Sequence, residues 1–367
     1  MSKKTLCGYI WSDVYSALGR SIGNGDMKPA QRWAGELLCS ETGVSRLEAL
    51  LLAIWSEHVG AALAQWPAFW KSNISFLRDE WMKSGGDNKL FRNNLAIRNR
   101  LAECVGYLVV ASKKPRPSLP KSADVFKEAE AVKARLRGGG ASPDQPSTQR
   151  VWDSREDAPT MRTLGNEFES SIRTAQTSRA LFWLVWILTL DTQKTRPSIK
   201  ERAPANILGK SRKCLAWYLL YILYDMAAYG LDSGGCIKQT LDCIQTVWMR
   251  LGTKYRREAL GTVVVLLCER VKAGPIEIRQ PHECLDTRPI RAAIEDIDKI
   301  YEEIARDITA NVVQESAAAP GANTITDSNS FKKDQKAKKE AGVIASAEKM
   351  DKAYSVLRKM YGMDDED

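Results

Sequence analysis

"SALGRSIGNGDMKPAQRWAGELL", from Ser16 to Leu38, decides the fold. It reads as a helix ending near Ile22, a "GNGD" break and a second helix beginning at Asp26. Asp is a good N-cap, and Pro29 is tolerated only in a first turn, where its missing N–H has no intrahelical acceptor to lose. So short a break sets two consecutive helices antiparallel.

Outward from this hairpin, apolar residues recur at helical spacing in Ser45–Trp66, Leu95–Ala111, Ser178–Leu190, Cys214–Tyr229 and Ile237–Leu251. Strand-like alternation is nearly absent. The run "ALGTVVVLLCERV" (Ala259–Val271) is β-branched enough for a buried strand, yet its length and charged ends favour a buried helix. The expected fold is all-α. Residues 138–159, rich in Gly, Pro and Ser, read as a linker between two tandem helical bundles, 1–137 and 160–314. A helix from about Pro289 to Val313 closes the second bundle. Residues 315–367 read as a low-complexity, disordered tail with a terminal amphipathic helix.

A chain of 367 residues with 44% apolar content is long for one core, which agrees with two domains. The eight cysteines form no C-x-x-C pair and fall mostly in apolar helical runs, as reduced buried thiols do. An intracellular, reducing compartment is expected: cytoplasm, nucleus or a viral factory. The basic N-terminus has no apolar run of about 7–15 residues behind it, and no stretch approaches about 18 uncharged apolar residues, so neither a secretion signal nor a membrane span is expected. A net charge of +9 permits a polyanionic partner and says nothing of the fold.

The two halves resemble each other. An ungapped offset of 150 places Ser21 on Ser171, Ile22 on Ile172, Ala30 on Ala180, Trp33 on Trp183 and Leu38 on Leu188. Each half continues through a long apolar helix and closes on a helix followed by a basic, Pro-containing stretch, Val109–Pro117 and Glu269–Pro275. Two readings fit: a tandem duplication, or chance likeness between helical stretches in a chain with eleven tryptophans.

The hairpin, followed by "LEALLLAIWSEHVG" (Leu47–Gly60), resembles the C-terminal helical domain of the replication-associated recombination ATPases, in the clamp-loader group of AAA+ proteins. The likeness lies in the Ser-Ala start, the Ser-aliphatic pair before a polar break with Asp, the aromatic helix, and Ser56, Glu57, His58, Val59 and Gly60. "LAECVGYLVVASKKP" (Leu101–Pro115) is similar to a later helix of that family. His58 stands where the family carries an acid, and Ser112 and Lys113 stand where it carries Ala-Pro. The resemblance covers the first third of the chain and implies a collar that packs subunits together. Fainter still, Val151–Leu188 resembles helical proteins of large DNA viruses. No G-x-x-x-x-G-K-[ST] occurs, so the family's ATPase module is absent from this sequence.

Chemistry is sparse. His58 and His282 are the only histidines, and a lone His at a helix end is usually a capping or surface group. His282 and Cys284 stand two apart without a second ligand pair, so no metal is assigned. Acidic pairs such as Asp79–Glu80 fit a solvated helix face. Trp183, Trp186 and Trp217 read as core, while Pro67 makes a corner of Trp66 and Trp70. No catalytic residue, cofactor or small-molecule substrate is assigned.

The basic clusters remain. Lys113, Lys114, Arg116 and Lys121 follow the first bundle. Lys194, Arg196, Lys200, Arg202, Lys210, Arg212 and Lys213 crowd one loop of the second, with Glu201 as its only acid. Such cations reach phosphates without reading sequence. A solvated loop is the competing explanation. Two functions are therefore expected to compete: a non-enzymatic scaffold of a DNA replication or repair assembly, associating with itself or a clamp-loader-like partner and touching DNA weakly, and a structural or interaction protein, such as a viral assembly component, with no DNA role.

Overall fold

The computed structural model describes residues 4–40, 44–114, 118–121, 142–192, 196–205, 207, 209–231, 235–271 and 285–317. Among them the chain is all-α, with one isolated bridge between Lys4 and Ile10 and no strand. The helices are α1 (Trp11–Asn24), α2 (Met27–Ser40), α3 (Ser45–Ile54), α4 (Trp66–Lys83), α5 (Asn88–Asn93), α6 (Leu95–Val110), α7 (Pro146–Val151), α8 (Pro159–Arg173), α9 (Thr177–Leu190), α10 (Leu215–Met226), α11 (Cys236–Val247), α12 (Thr253–Glu269), α13 (Arg288–Glu295) and α14 (Ile297–Ala317).

The opening hairpin is built by one left-handed residue. Gly25 adopts φ 82°, its N–H donates to Ile22 O at 3.2 Å, and the Asp26 N–H reaches back to Ser21 O at 2.8 Å. This pair of hydrogen bonds satisfies carbonyls that a helix C-terminus otherwise leaves open, and it turns the chain through a left-handed backbone region that glycine enters without the strain a side chain would bring. α2 then starts at Met27, with Asp26 O accepting from Ala30 N at 3.1 Å. α1 runs two residues beyond the expected Ile22.

The same device recurs 150 residues later. Ala175, at φ 56°, donates to Ile172 O, Gln176 N to Ser171 O at 2.8 Å, and Ala180 N to Gln176 O. Ser21 Oγ and Ser171 Oγ each donate to the carbonyl four residues back, Ala17 O and Glu167 O. Buried stripes match as well: Val14, Leu18 and Ile22 on α1 against Leu164, Phe168 and Ile172 on α8. The likeness extends past the aligned window, since α3 and α10 each run into a π-turn, Trp55–Val59 and Ala227–Leu231. The main-chain bonds of the joint thus repeat at the same offset as the side chains. The connections between hairpin and next helix differ, residues 41–44 in one half and 191–214 in the other.

The described residues form two compact units. One takes those up to 114 together with 230–266, 270–271 and 285–317, and the other takes 118–229 with 267–269. This differs from the sequential division at 138–159, because α11, α13 and α14 belong to the first unit. Gly35 on α2 explains part of it: a Cβ there would lie 2.8 Å from Ile304 Cδ1 of α14. On α6, a Cβ at Gly106 would lie 3.0 Å from Ile290 of α13. Missing side chains thus let the C-terminal helices seat on the first bundle. α11 packs on α4, where Cys243 Sγ donates to Pro67 O at 2.9 Å and Lys71 pairs with Asp242 at 3.3 Å.

Other expectations are refined. Ser45–Trp66 is not one helix, since a π-turn and Gly60 at φ 47° interrupt it. Ala259–Val271 falls largely within helix α12, as its length indicated. Trp66 and Trp70 are core, not a corner: they stack at 5.7 Å, with their indole N–H groups donating to Cys104 O and Glu48 O. Trp183, Trp186 and Trp217 are also core. Residues 142–159 carry α7 where composition alone reads as linker. The terminal amphipathic helix expected within residues 345–367 falls outside the described residues.

Ala175→Gly is expected to stabilise the chain by about 0.5–1 kcal/mol, because the left-handed conformation costs alanine roughly 1–2 kcal/mol and glycine nothing, less the extra entropy glycine loses on folding. Gly25→Ala is expected to cost about 1 kcal/mol, since its Cβ meets nothing nearer than Val109 O at 3.9 Å and only the backbone objects. Urea unfolding checks both; equal midpoints for all three proteins would remove the left-handed joint as a source of stability.

Candidate nucleic-acid interface

In the loop after α9, Arg202 turns inward, whereas Arg196, Lys200 and Arg212 are part-exposed and pair with acids. Asp157 is buried, accepting from Asp153 N at 2.7 Å, Lys200 N at 2.7 Å and both terminal nitrogens of Arg202. Arg202 is itself 8% exposed, donates to Val151 O at 2.7 Å and lies over the Tyr218 ring at 5.2 Å. A planar guanidinium that meets a carboxylate fork and a ring face together is a structural group. Arg202 is therefore not available to phosphate. Arg196 pairs with Asp191 at 3.3 Å, Lys200 with Asp153 at 2.7 Å and Arg212 with Glu201. Glu201 is the only acid within the loop, but Asp153, Asp157 and Asp191 reach it from outside.

The segment before α8 is pinned similarly. Glu169 is buried and accepts from Ser147 N at 3.0 Å and Thr148 N at 2.7 Å, the first N–H donors of the short helix α7. Glu167 accepts from Ser142 N at 2.6 Å and pairs with Arg179. Asn166 Oδ1 takes Gln145 N at 3.0 Å. Side chains of one helix thus cap another, which is how a Pro- and Ser-rich stretch becomes ordered.

Lys113 closes α6. Its Nζ donates to Leu108 O, Val109 O and Ala111 O at 2.7–2.8 Å, a cation at a helix C-terminus, while burial pulls its ammonium down to about 8. Lys114, Lys121 and Lys213 are exposed. Arg116, Lys194 and the side chain of Lys210 lie outside the described residues, as do His282 and Cys284.

The remaining candidate chemistry is quiet. Burial pushes the Cys7 thiol up to about 12, helped by the Glu36 carboxylate to which it donates at 2.8 Å. Burial raises Cys39 to about 11 and Cys243 to about 12, and lifts Cys104 and Cys268 as well. A thiol held protonated is a poor nucleophile. His58 is half-buried against Gly23, where a Cβ would stand 3.0 Å from its Nδ1, and burial lowers its pKa. Among the described residues no group of three or more His, Cys, Asp or Glu side chains is placed to hold a metal, and no helix is long and apolar enough to cross a membrane.

A basic corner braced by aromatic rings, which composition did not single out, lies in the first unit, with Trp248 itself in the core. "WMRLGTKYRRE" (Trp248–Glu258) turns the corner from α11 into α12 and carries Arg250, Lys254, Arg256 and Arg257 between aromatic residues. Arg256 lies over the Trp248 ring at 5.0 Å and Lys254 over Tyr255 at 5.3 Å. The interleaving of Lys or Arg with Trp and Tyr in eleven residues was the available signal. Arg250 and Tyr255 line a cleft of ≈ 310 Å³ together with Tyr15 and Arg46.

Comparison with protein-family models, curated proteins and solved structures finds no match to this chain.

Arg202→Ala is expected to destabilise the second unit by about 3–5 kcal/mol, because Asp157 stays buried without its partner. Lys213→Ala, at an exposed site, should change stability by less than about 0.5 kcal/mol. Thermal melts of the two variants check the contrast; equal melts would return Arg202 to the solvated loop.

Proposed function

We propose that this chain is a non-enzymatic scaffold of a DNA replication or repair assembly, collar-like, self-associating and weakly DNA-binding. The observation that carries the reading is the α1–α2 hairpin, where the residues of the clamp-loader resemblance coincide with a joint locked by main-chain bonds. A helix pair held at a fixed angle offers a constant face for assembly, and fixed faces are what ring-forming subunits need. DNA contact in this reading falls to cations that face solvent, including Lys114, Lys121 and Lys213. Such contacts position the nucleic acid without reading its sequence.

One observation favours the alternative, an interaction or structural protein such as a viral assembly component with no DNA role. Arg202 is buried on Asp157, and Arg196, Lys200 and Arg212 are each paired with a neighbouring acid.

Light scattering on the purified chain at tens of micromolar tests the scaffold. A dimer or larger species, or a partner retained from cells, is expected; a strict monomer without a partner overturns it. Affinity for duplex DNA separates the two readings, since each phosphate contact contributes about 0.9 to the slope of log K against log salt. A slope near zero, or no binding, would select the alternative.

A further inference from the structure

His58 is a titratable side chain that neither the basic loop nor the main-chain bonds of the hairpin employ, and it lies against the hairpin's first helix. It is the fourth residue of the π-turn Trp55–Val59, which packs on α1. The half-buried imidazole lies across two glycines one helical turn apart: a Cβ at Gly19 would stand 3.6 Å from its Nε2, and one at Gly23 would stand 3.0 Å from its Nδ1. The ring fills the space that two missing side chains leave open. Among the described residues, neither of its nitrogens has a hydrogen-bond partner.

The surroundings favour a neutral ring. Lys113, from the segment after α6, and Lys254, from α12, both face it. The acids nearest to it are Glu57 of the same π-turn and Glu258 of α12, and each lies 3.7 Å from Lys254. Between Val14 and Asn24, α1 carries one charge, the exposed Arg20, and Asp26 at the joint is exposed as well. The charges of α3, Arg46 and Glu48, stand at the end of that helix away from the π-turn. A helix C-terminus ordinarily favours a cation. Here the carbonyls of Ser21 and Ile22 already accept from Asp26 and Gly25, and two ammonium groups oppose a third positive charge. Burial, with these lysines and against the pull of Glu57, holds the imidazole below its usual 6.5.

The second half is built differently at the same places. An offset of 150 puts Glu169 and Arg173 of α8 where α1 has Gly19 and Gly23, and these two side chains pair at 2.7 Å. The fourth residue of the second π-turn, Ala227–Leu231, is Gly230. One joint therefore has an imidazole seated beside it, and the other has an ion pair and no ring.

We propose that His58 is a pH-sensitive wedge: neutral, it fills the groove over Gly19 and Gly23 and braces the first joint, and protonated, it leaves the groove and loosens α1 from the π-turn. The sign follows from where the proton is cheaper to add. A ring turned out into water takes it up near 6.5, whereas the seated ring resists it. The seat is therefore complete above pH 6.5, weakens as pH falls below that value, and stops weakening below the seated ring's own pKa. Lys113, pulled down only to about 8, stays charged throughout this window and keeps its three bonds at the end of α6. Where the hairpin face carries self-association, acid then releases the assembly; that consequence rests on the scaffold reading, and the wedge itself does not.

Proton NMR of the full chain between pH 8 and pH 5 tests the wedge. His58 and His282 are the only histidines, so the imidazole signal that disappears in His58→Gln is assigned by that variant alone. Its titration midpoint is expected below 6.5, and Gly23→Ala, whose methyl group takes the place of the ring, should return it toward 6.5. Over the same range the amides of Gly25 and Asp26 should lose exchange protection relative to those of Ala175 and Gln176 by more than about twofold, since the ratio can change up to about tenfold for each pH unit by which the seat lowers the imidazole. His58→Gln should abolish that relative loss. A midpoint at or above 6.5, equal loss of protection at the two joints, or a loss that persists in His58→Gln overturns the wedge. Should either variant fail to fold, the wild-type exchange rates still decide, because the second joint serves as the control within the same molecule. Light scattering at pH 7.5 and pH 5.5 reads the consequence for assembly: dissociation at the lower pH supports acid release, and an assembly of unchanged size overturns the release while leaving the wedge to the exchange data. A strict monomer at both pH values overturns the scaffold reading and the release together.

Discussion

A single residue with positive φ, placed where two helices meet, is the constraint from which the rest of both units follows. At Gly25 and again at Ala175 the chain reverses by donating two successive N–H groups back into the helix it has just left. That reversal brings Val14, Leu18 and Ile22 into the same core as Ala30, Ala34 and Leu37, and Leu164, Phe168 and Ile172 into that of Ala180, Leu184 and Ile187. Burying each large aliphatic side chain contributes about 1.5–3 kcal/mol, but only if the two stripes are in register. The turn sets the register, and the hydrophobic effect supplies the stability.

The halves then diverge in how they treat the chain after the hairpin. In the first, residues 41–44 lead directly to α3; in the second, residues 191–214 intervene before α10. An insertion of that length is tolerated if its backbone polar groups find partners. Asp157 accepts from Lys200 N and from the Arg202 side chain, which is why a carboxylate and a guanidinium sit in the interior of a protein whose other buried groups are mostly apolar. Glu167 and Glu169 perform the same service for residues 142–148. These pairs are costly to break and of modest net value when intact, so they act as specifiers of one loop conformation. The abundance of positive charge in the loop is thus partly an internal matter, and the surface charge of the molecule is smaller there than its composition suggests.

Periodicity carried most of the fold. Apolar spacing gave α6, α9, α10 and α11, length and charged ends gave α12, and the Gly-Asp break gave the hairpin to within a residue or two of its helix ends. The offset of 150 was legible because identical side chains occupy identical turns. What was not legible depended on partners remote in sequence. α7 has no apolar period and exists because Glu169, some twenty residues on, caps its first donors. The π-turn at Trp55–Val59 follows from a helix that must reach Gly60 with Trp55 buried, which a residue count does not reveal. The placement of α13 and α14 on the first bundle turns on Gly35 and Gly106, two residues whose meaning lies in the side chains they lack. The loop cations looked exposed because the acids that bind them, Asp153, Asp157 and Asp191, lie outside the loop. At the cleft, Arg46 and Tyr15 are some two hundred residues from Arg250 and Tyr255, so only the local "KYRRE" text was open to reading.

The central claim is that the same left-handed joint holds both hairpins, and amide hydrogen exchange reads it most directly. The N–H groups of Asp26 and Gln176 sit outside any helix, at positions where an ordinary loop amide would exchange freely, yet each donates across the joint at 2.8 Å. Both amides should exchange as slowly as the helical amides beside them, such as those of Ile22 and Ile172, opening only when the hairpin opens. Exchange of either at the rate of an unstructured peptide would contradict the joint and, with it, the equivalence of the two halves.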